Sequence, residues 1–298
     1  MYAVSGNLTK IQMEIKNLQG IDNKEILSVF NTSFSDYFVP FKLTEEQLAS
    51  KMIVDKTNLE LSVGVFENKK LIAFILHGID TINNQKVVYN GGTGVIPKKR
   101  GSGLTKQMYR YNLPVLEKKG IDKIILEVIS KNIQAIKSYE KSGFTTTREL
   151  ACYKGNFTST KINKEIEVKE LQNYQWKQME SFWDIDPTWQ NSKRVMDKLR
   201  IDNISFGAYL KNQLVGYVIY NPKNNRIQQI AVNKNFRRKG IASNLIAELV
   251  KKHGNAFSII NVDKKAENVT GFFDSKGFKN YLDQLEMELK FNKEHSQQ

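Results

Sequence analysis

Cysteine is nearly missing from this chain: Cys152 is the one example in 298 residues. No intramolecular disulfide can form, and the composition suits a reducing compartment. Long apolar runs are missing too, since none approaches the roughly 20 residues that a membrane helix needs. The opening Met-Tyr-Ala-Val-Ser-Gly-Asn lacks the basic stretch and apolar core of a secretory leader. These absences predict a cytoplasmic protein with no membrane partner. Two nucleotide-binding patterns are also excluded. Nothing fits Gly-x4-Gly-Lys-Ser/Thr, and Gly92-Thr-Gly94-Val-Ile-Pro97 lacks the third glycine of a dinucleotide fingerprint. No metal is expected.

Acidic residues are outnumbered, 31 against 45 lysines and arginines, giving a net charge of +14. The excess is spread along the chain apart from short clusters such as Lys98-Lys99-Arg100 and Arg237-Arg238-Lys239. Both of these clusters lie on glycine turns, where a phosphate ligand accounts for them. The charge therefore implies attraction to anionic ligands, with no specific nucleic-acid site expected; a nucleic-acid binder is the rival that steep salt dependence would reveal.

The most informative stretch runs from Gly94 to Tyr109. Val87-Val88-Tyr89 reads as a strand entering a basic, glycine-rich turn. A segment with Leu104, Met108, Tyr111 and Val115 at helical spacing leaves it. Backbone N–H groups at such a helix start are unpaired, and the helix dipole makes the end cationic. Gly101 and Gly103 let the backbone approach an anion closely, and Arg100 adds a fixed cation. This is the architecture of a diphosphate cradle.

Around it the chain alternates strands and helices. Ile11–Leu18 reads as a strand and 24–34 as a helix. An aromatic loop holds Asp36, Tyr37 and Pro40, and Thr44 with Gln47 forms a capping box before a second helix. Strands are expected over 61–67, 71–79 and 86–95, and Gly120 closes the helix after the turn. A strand at 123–129, a helix at 132–141 and strands to Phe157 follow. A polar linker is placed near 158–163. Beyond it the order repeats: strand 166–171, helix 174–182, an aromatic loop 183–189, helix 193–199, three strands, and the turn Arg237-Arg-Lys-Gly240 opening another helix. Val95 and Val232, Arg100 and Arg237, and Gly103 and Gly240 are each 137 residues apart. One α/β unit is used twice, as a domain over 1–157 and a second over 164–298.

At these residues the chain resembles the GNAT superfamily of acyl-CoA-dependent N-acetyltransferases. Val95-x-Pro97-x-x-Arg100-Gly-x-Gly103-Leu-Thr resembles that family's coenzyme A motif, and Val232-x4-Arg237-Arg-Lys-Gly240-Ile-Ala242 is a second copy. A second block, Asn132-x-x-Ala135-x-x-x-Tyr139-x-x-x-Gly143-Phe144, is matched in the second half by a degraded version ending Phe273-x-x-x-Gly277-Phe278. The resemblance implies two mixed α/β domains. Each has a bent mixed sheet flanked by helices and splayed to admit the pantetheine arm. It also implies acetyl-CoA as co-substrate, with Gly94, Val95, Arg100, Gly101, Ser102, Gly103, Leu104, Thr105 and Asn132 at the first donor site. Val232, Arg237, Arg238, Lys239, Gly240, Ile241 and Ala242 would line the second.

An attacking amine must be neutral, and at pH 7 only about one in a few thousand is, a handicap of roughly 4–5 kcal/mol. A transferase gains from a base, a donor to the carbonyl oxygen and an acid for the departing thiolate. The resemblance implies backbone N–H near Gly94–Val95 for the carbonyl and Tyr139 for the acid. Asn132, Ala135, Ile136 and Tyr139 share one helix face; the alternative reading of Tyr139 is a core aromatic. Phe273 cannot donate a proton. Relatives carry a glutamate on the strand before the turn, but here Tyr89-Asn-Gly-Gly-Thr93 and Gln228-Gln229 offer none. Glu127, Asp36, Tyr37, His77 or a water chain remain open as the base. Asp36 and Tyr37 suit an ammonium acceptor through charge and cation–π contact, or the loop aromatics plug the core edge. The expected activity is acetyl transfer to a primary amine in the first domain, on a small molecule in preference to a protein, by a monomer or homodimer. A non-catalytic acyl-CoA sensor is the alternative.

Overall fold

The structure is a computed structural model, and it describes residues 12–39, 41–158 and 162–291. Ile11, Pro40 and half of the expected linker, 159–161, lie outside the described residues. The chain divides into two compact units. One takes the chain to Leu126, Ile133–Thr145 and the stretch from Glu288; the other takes Glu127–Asn132 and Thr146–Met287. No helix among the described residues is long and apolar enough to cross a membrane.

The first part of the chain forms β1 (Met13–Asn17), α1 (Asn23–Ser33), α2 (Glu45–Asp55), β2 (Val63–Glu67), β3 (Lys70–Ile82), β4 (Gln85–Val95), α3 (Leu104–Lys118), β5 (Lys123–Ile129) and α4 (Ile133–Glu140). Strands β1 to β4 pair antiparallel in order, and β5 runs parallel to β4. The parallel register covers only Val87–Tyr89 against Lys123–Ile125, so β4 continues to Val95 without it. A β-bulge interrupts β3 and β4: Leu76 faces Gly92 and His77 faces Asn90, leaving Gly91 unpaired. Leu18, Ile26, Phe30, Leu48, Phe74 and Leu76 pack a core between α1, α2 and the sheet.

Local chemistry sets the helix limits. Thr44 Oγ1 accepts from the Gln47 N–H at 3.2 Å while Gln47 Oε1 accepts from the Thr44 N–H at 2.9 Å, the expected capping box. Gly103 starts α3 at φ 75°, and Gly120 follows its end at φ 71°. The buried face of α3 is Leu104, Met108, Tyr109, Asn112 and Leu116. Tyr111, expected inside, is 41% exposed. The sequence pattern was misread because the polar Asn112 occupies a core position, donating to Leu61 O at 2.8 Å.

The second unit is built from β6 (Thr145–Asn156), β7 (Glu167–Glu170), α5 (Trp176–Glu180), α6 (Lys193–Lys198), β8 (Ile204–Leu210), β9 (Gln213–Asn221), β10 (Arg226–Val232), α7 (Ile241–His253), β11 (Ala256–Asp263), α8 (Glu267–Ser275) and most of β12 (Phe278–Lys290). Strands β7 to β10 are antiparallel, and β11 is parallel to β10 through the single pair Arg226–Ser258. β6 follows α4 in the chain, yet from Thr146 onward it lies in this unit, antiparallel to β11. The helix expected over 174–182 forms only as α5. Beyond Glu180 the backbone tightens into three-residue turns, Phe182 N–H to Met179 O and Trp183 N–H to Glu180 O, which bury Phe182. Cys152 is buried, as its packing role predicts.

Two glycines in the first unit should fail differently on substitution. A Cβ at Gly94 would stand 2.4 Å from a Phe74 ring carbon and 2.9 Å from Ser33 Cβ. Gly94→Ala is therefore expected to cost about 1–3 kcal/mol through overpacking. At Gly103 nothing lies within 4 Å but φ is +75°, so Gly103→Ala costs about 1–2 kcal/mol through the backbone alone. Urea unfolding, with a volume-reducing Phe74→Leu that rescues the first variant and not the second, separates the two causes.

Candidate active site

In the first unit the turn after β4 is held by its arginine. Arg100 Nη1 and Nη2 donate to Asp36 Oδ2 and Oδ1, both at 2.7 Å; Nη2 also donates to Ser33 O at 2.8 Å and Nε to Val95 O at 3.3 Å. The guanidinium thus ties the end of α1 and the loop after it to the end of β4. Its bidentate hydrogen bonds hold the Asp36 carboxyl below its ordinary value. The helix start beside it stays open: α3 has no side-chain cap, whereas Asp22 and Thr44 cap α1 and α2. Ile96 N–H is spent on Ile72 O of β3, so by strand alternation the Val95 N–H points to the other edge of β4.

Polar side chains gather at the bulge. Asn90 Nδ2 donates to Thr93 Oγ1 and to Tyr109 Oη, both at 2.8 Å, and Asn90 Oδ1 accepts from the Gly92 N–H at 3.0 Å. Tyr139 packs edge-on against Tyr109 with ring centres 6.3 Å apart. Burial pushes the Tyr139 hydroxyl up to about 12; hydrogen bonds with Thr93 and Asn90 oppose that, and Tyr37 adds to it electrostatically. The group is a protonated phenol at any ordinary pH.

The second unit repeats the clamp. Arg237 Nη2 meets Asp184 Oδ2 at 3.0 Å and Phe182 O at 3.1 Å, and Nε donates to Val232 O at 3.2 Å. Gly240, at φ 80°, starts α7 with no side-chain cap, and Arg238 and Lys239 are exposed on the turn. Asn163 fastens the turn through Lys239 O at 2.9 Å. Here the parted strands enclose a cavity of about 1040 Å³ that runs from the turn along β10, β11 and α8 to the loop at 182–191. Its apolar walls include Ile227, Ile259 and Phe273. A buried polar chain forms another wall: Trp183 Nε1 donates to Tyr217 Oη (2.5 Å), Tyr217 Oη to Gln229 Oε1 (2.7 Å), and Gln229 Nε2 to Asn191 O (2.5 Å). Burial raises the Tyr217 hydroxyl.

Both halves, residues 25–144 and 168–278, match the model of the acetyltransferase (GNAT) family. The chain belongs to that family. Solved structures agree on a tandem GNAT fold. A GCN5-related N-acetyltransferase from Sphaerobacter thermophilus aligns over 93% of this chain and 95% of its own at 12% identity, TM-score 0.68. A tandem GNAT protein from the clavulanic acid biosynthesis pathway covers 95% and 100% at 10% identity, TM-score 0.70. A putative acetyltransferase from Pyrococcus horikoshii covers 98% and 94% at 16% identity, TM-score 0.62. No curated protein matches the chain.

Within this GNAT frame the expected site residues fall into groups. Asp36, Tyr37, Gly94, Val95, the turn from Arg100 to Thr105 and Tyr139 all belong to the first unit; Glu127 on β5 and Asn132 before α4 fall among the residues of the second. Val232 and Arg237 to Ala242 line the second-unit cavity. His77 is fully buried, its Nδ1 2.9 Å from Leu61 O, and desolvation lowers it to about 4; it is a neutral structural ring. Sequence reading missed Asn90, Thr93 and Tyr109, and in the second unit Tyr217 and Asn191. The glycine pair within the strand, Gly91-Gly92, was the available signal for a bulge.

The raised Tyr139 has a consequence for stability. Its folded value of about 12 lies above the ordinary 10.0, so its contribution is complete below pH 10 and is lost as pH rises towards 12. Tyr139→Phe should abolish that share of the alkaline loss, measured as the difference in unfolding free energy between wild type and variant from pH 9 to 12.

Proposed function

We propose that the protein is an acetyl-CoA-dependent N-acetyltransferase that moves an acetyl group to a primary amine by direct attack in a ternary complex, with the chemistry in the first unit. The observation that carries this reading is the protonated, buried Tyr139 bonded to Asn90 and Thr93 on a parted β4, next to an uncapped helix start. In this reading the N–H groups from Gly101 to Thr105 hold the donor's diphosphate. Val95 N–H faces the thioester carbonyl, and Tyr139 protonates the departing thiolate. Leu104, buried at the start of α3, forms the floor of the turn.

The arginines of the two turns take a different part from a phosphate contact. Arg100, through Nε, Nη1 and Nη2, and Arg237, through Nε and Nη2, hold the loop after the first helix of their unit against the turn. Asp36 is neutralised by that pairing, so recognition of an acceptor ammonium falls to the ring of Tyr37. A small-molecule amine is favoured over a protein terminus or lysine.

For the second unit a specific observation favours donor binding without transfer. Its cavity has an open helix start, exposed cations at Arg238 and Lys239 and an apolar groove, which fit coenzyme A, but Phe273 stands where the first half has Tyr139. The unit then acts as an acyl-CoA sensor or shapes the protein around the working site.

Thiol release from acetyl-CoA over an amine panel tests the reading. Tyr139→Phe is expected to lower turnover by roughly ten- to a thousandfold at nearly unchanged coenzyme A affinity; unchanged turnover removes Tyr139 as the acid. Calorimetric titration should count two coenzyme A sites per chain, and one in Gly240→Asp.

A further inference from the structure

The unpaired bulge residue is Gly91 in β4 and Gln228 in β10, where Ile227 faces Tyr220 and Gln229 faces Ile219. These positions are 137 apart, the spacing of the two turns. In the second unit the side chain at this position shows what it faces. Gln228 lines the large cavity, and its Oε1 is buried with no hydrogen-bond partner among the described residues. Such an orphan acceptor in a cavity wall is a place for a ligand N–H.

In the first unit the same position carries no side chain, and a carboxylate from another element fills its space. A Cβ built on Gly91 would lie 2.6 Å from Asp55 Oδ2. Asp55 ends α2, is 3% exposed, and is paired with Lys51 Nζ at 2.6 Å. Gly78 on β3 makes its approach possible, since a Cβ there would stand 1.9 Å from Asp55 O. Gly91, the residue that Asp55 faces, lies between Asn90 and Thr93, the two side chains that hydrogen-bond Tyr139. Of the other groups considered as bases in this unit, Asp36 gives both oxygens to Arg100 and His77 faces Leu61 O through Nδ1, whereas Asp55 meets Lys51 through Oδ2.

We propose that Asp55 is the proton acceptor for transfer in the first unit, supplying from α2 the carboxylate that β4 lacks. The inference rests on the proposed acetyl transfer. As the amine nitrogen bonds the thioester carbonyl carbon it becomes strongly acidic, and Asp55 takes one of its protons. The carbonyl re-forms, the carbon–sulfur bond breaks with its electron pair on sulfur, and Tyr139 protonates the thiolate. Exchange with solvent returns the Asp55 proton to Tyr139, so one amine and one thioester give one amide and one thiol. Lys51, 2.6 Å away, holds the carboxylate in place before the step. Gln228, an amide, cannot accept a proton, which leaves the second unit able to bind and unable to transfer.

The test uses the full chain with acetyl-CoA and putrescine, tyramine and glucosamine as probes. The wild type is measured first: no turnover with any of the three overturns the proposed transfer and this inference together. With turnover established, Asp55→Asn should lower kcat at saturating amine by about a hundredfold or more. The acetyl-CoA dissociation constant should stay within about threefold, and the acid-side limb of the kcat profile should disappear. The double variant Lys51→Met/Asp55→Leu removes the buried pair without leaving a lone charge, and should fold as well as wild type while remaining inactive. Asp55→Asn with kcat within about threefold of wild type would overturn the inference, as would recovery of both stability and turnover in the double variant.

Discussion

Everything distinctive in each unit follows from a parallel strand pair that parts almost as soon as it forms. β4 and β5 share three registered pairs and β10 and β11 one. Past those pairs the outward N–H and C=O groups of β4 and β10 need other partners. The structure meets that need in the same way twice, by turning an arginine back onto the last strand carbonyl, Arg100 on Val95 O and Arg237 on Val232 O. The same guanidinium then grips a carbonyl and an aspartate of the preceding loop, so the opening in the sheet, the turn and the loop over it are fixed by one side chain. The glycines at 103 and 240 follow from this geometry, since each starts its helix from the left-handed region and leaves the first-turn N–H groups uncapped.

A duplicated unit also serves as its own control. Where the halves agree, in the clamp, the turn, the uncapped helix and the bulge, they share the framework on which the proposed donor sites rest. Where they differ, they differ at groups that could move a proton. Tyr139 corresponds to Phe273, and the Gly91 space filled by Asp55 corresponds to Gln228. The second unit keeps a cavity of about 1040 Å³ with Gln228 and Phe273 in its wall at these two positions, suited to holding a ligand unchanged.

The repeat, the turns and the strand and helix order were legible because they depend on local spacing and on glycines at required backbone conformations. The capping box at Thr44 and the helix end at Gly120 appeared where the residues indicated. What could not be read was partnership across the fold. Arg100 looked like a phosphate cation because no local pattern places Asp36, 64 residues away, against it. Asn112 broke the apolar stripe of α3 because its partner, Leu61 O, is 51 residues distant. Asp55 passed unnoticed for the same reason: its relation to Gly91 exists only once Gly78 has let α2 close over the sheet. The strand β6 reads as the end of the first repeat, yet it pairs with β11, a choice of partner that periodicity does not encode.

The central claim is that one cradle serves transfer and the other only holds a donor. Gly103→Asp, which sets a carboxylate at the start of α3, tests it most directly when thiol release and coenzyme A stoichiometry are measured on the same preparation. The account predicts one remaining coenzyme A site per chain and no transfer above background. Wild-type thiol release in that variant would contradict it.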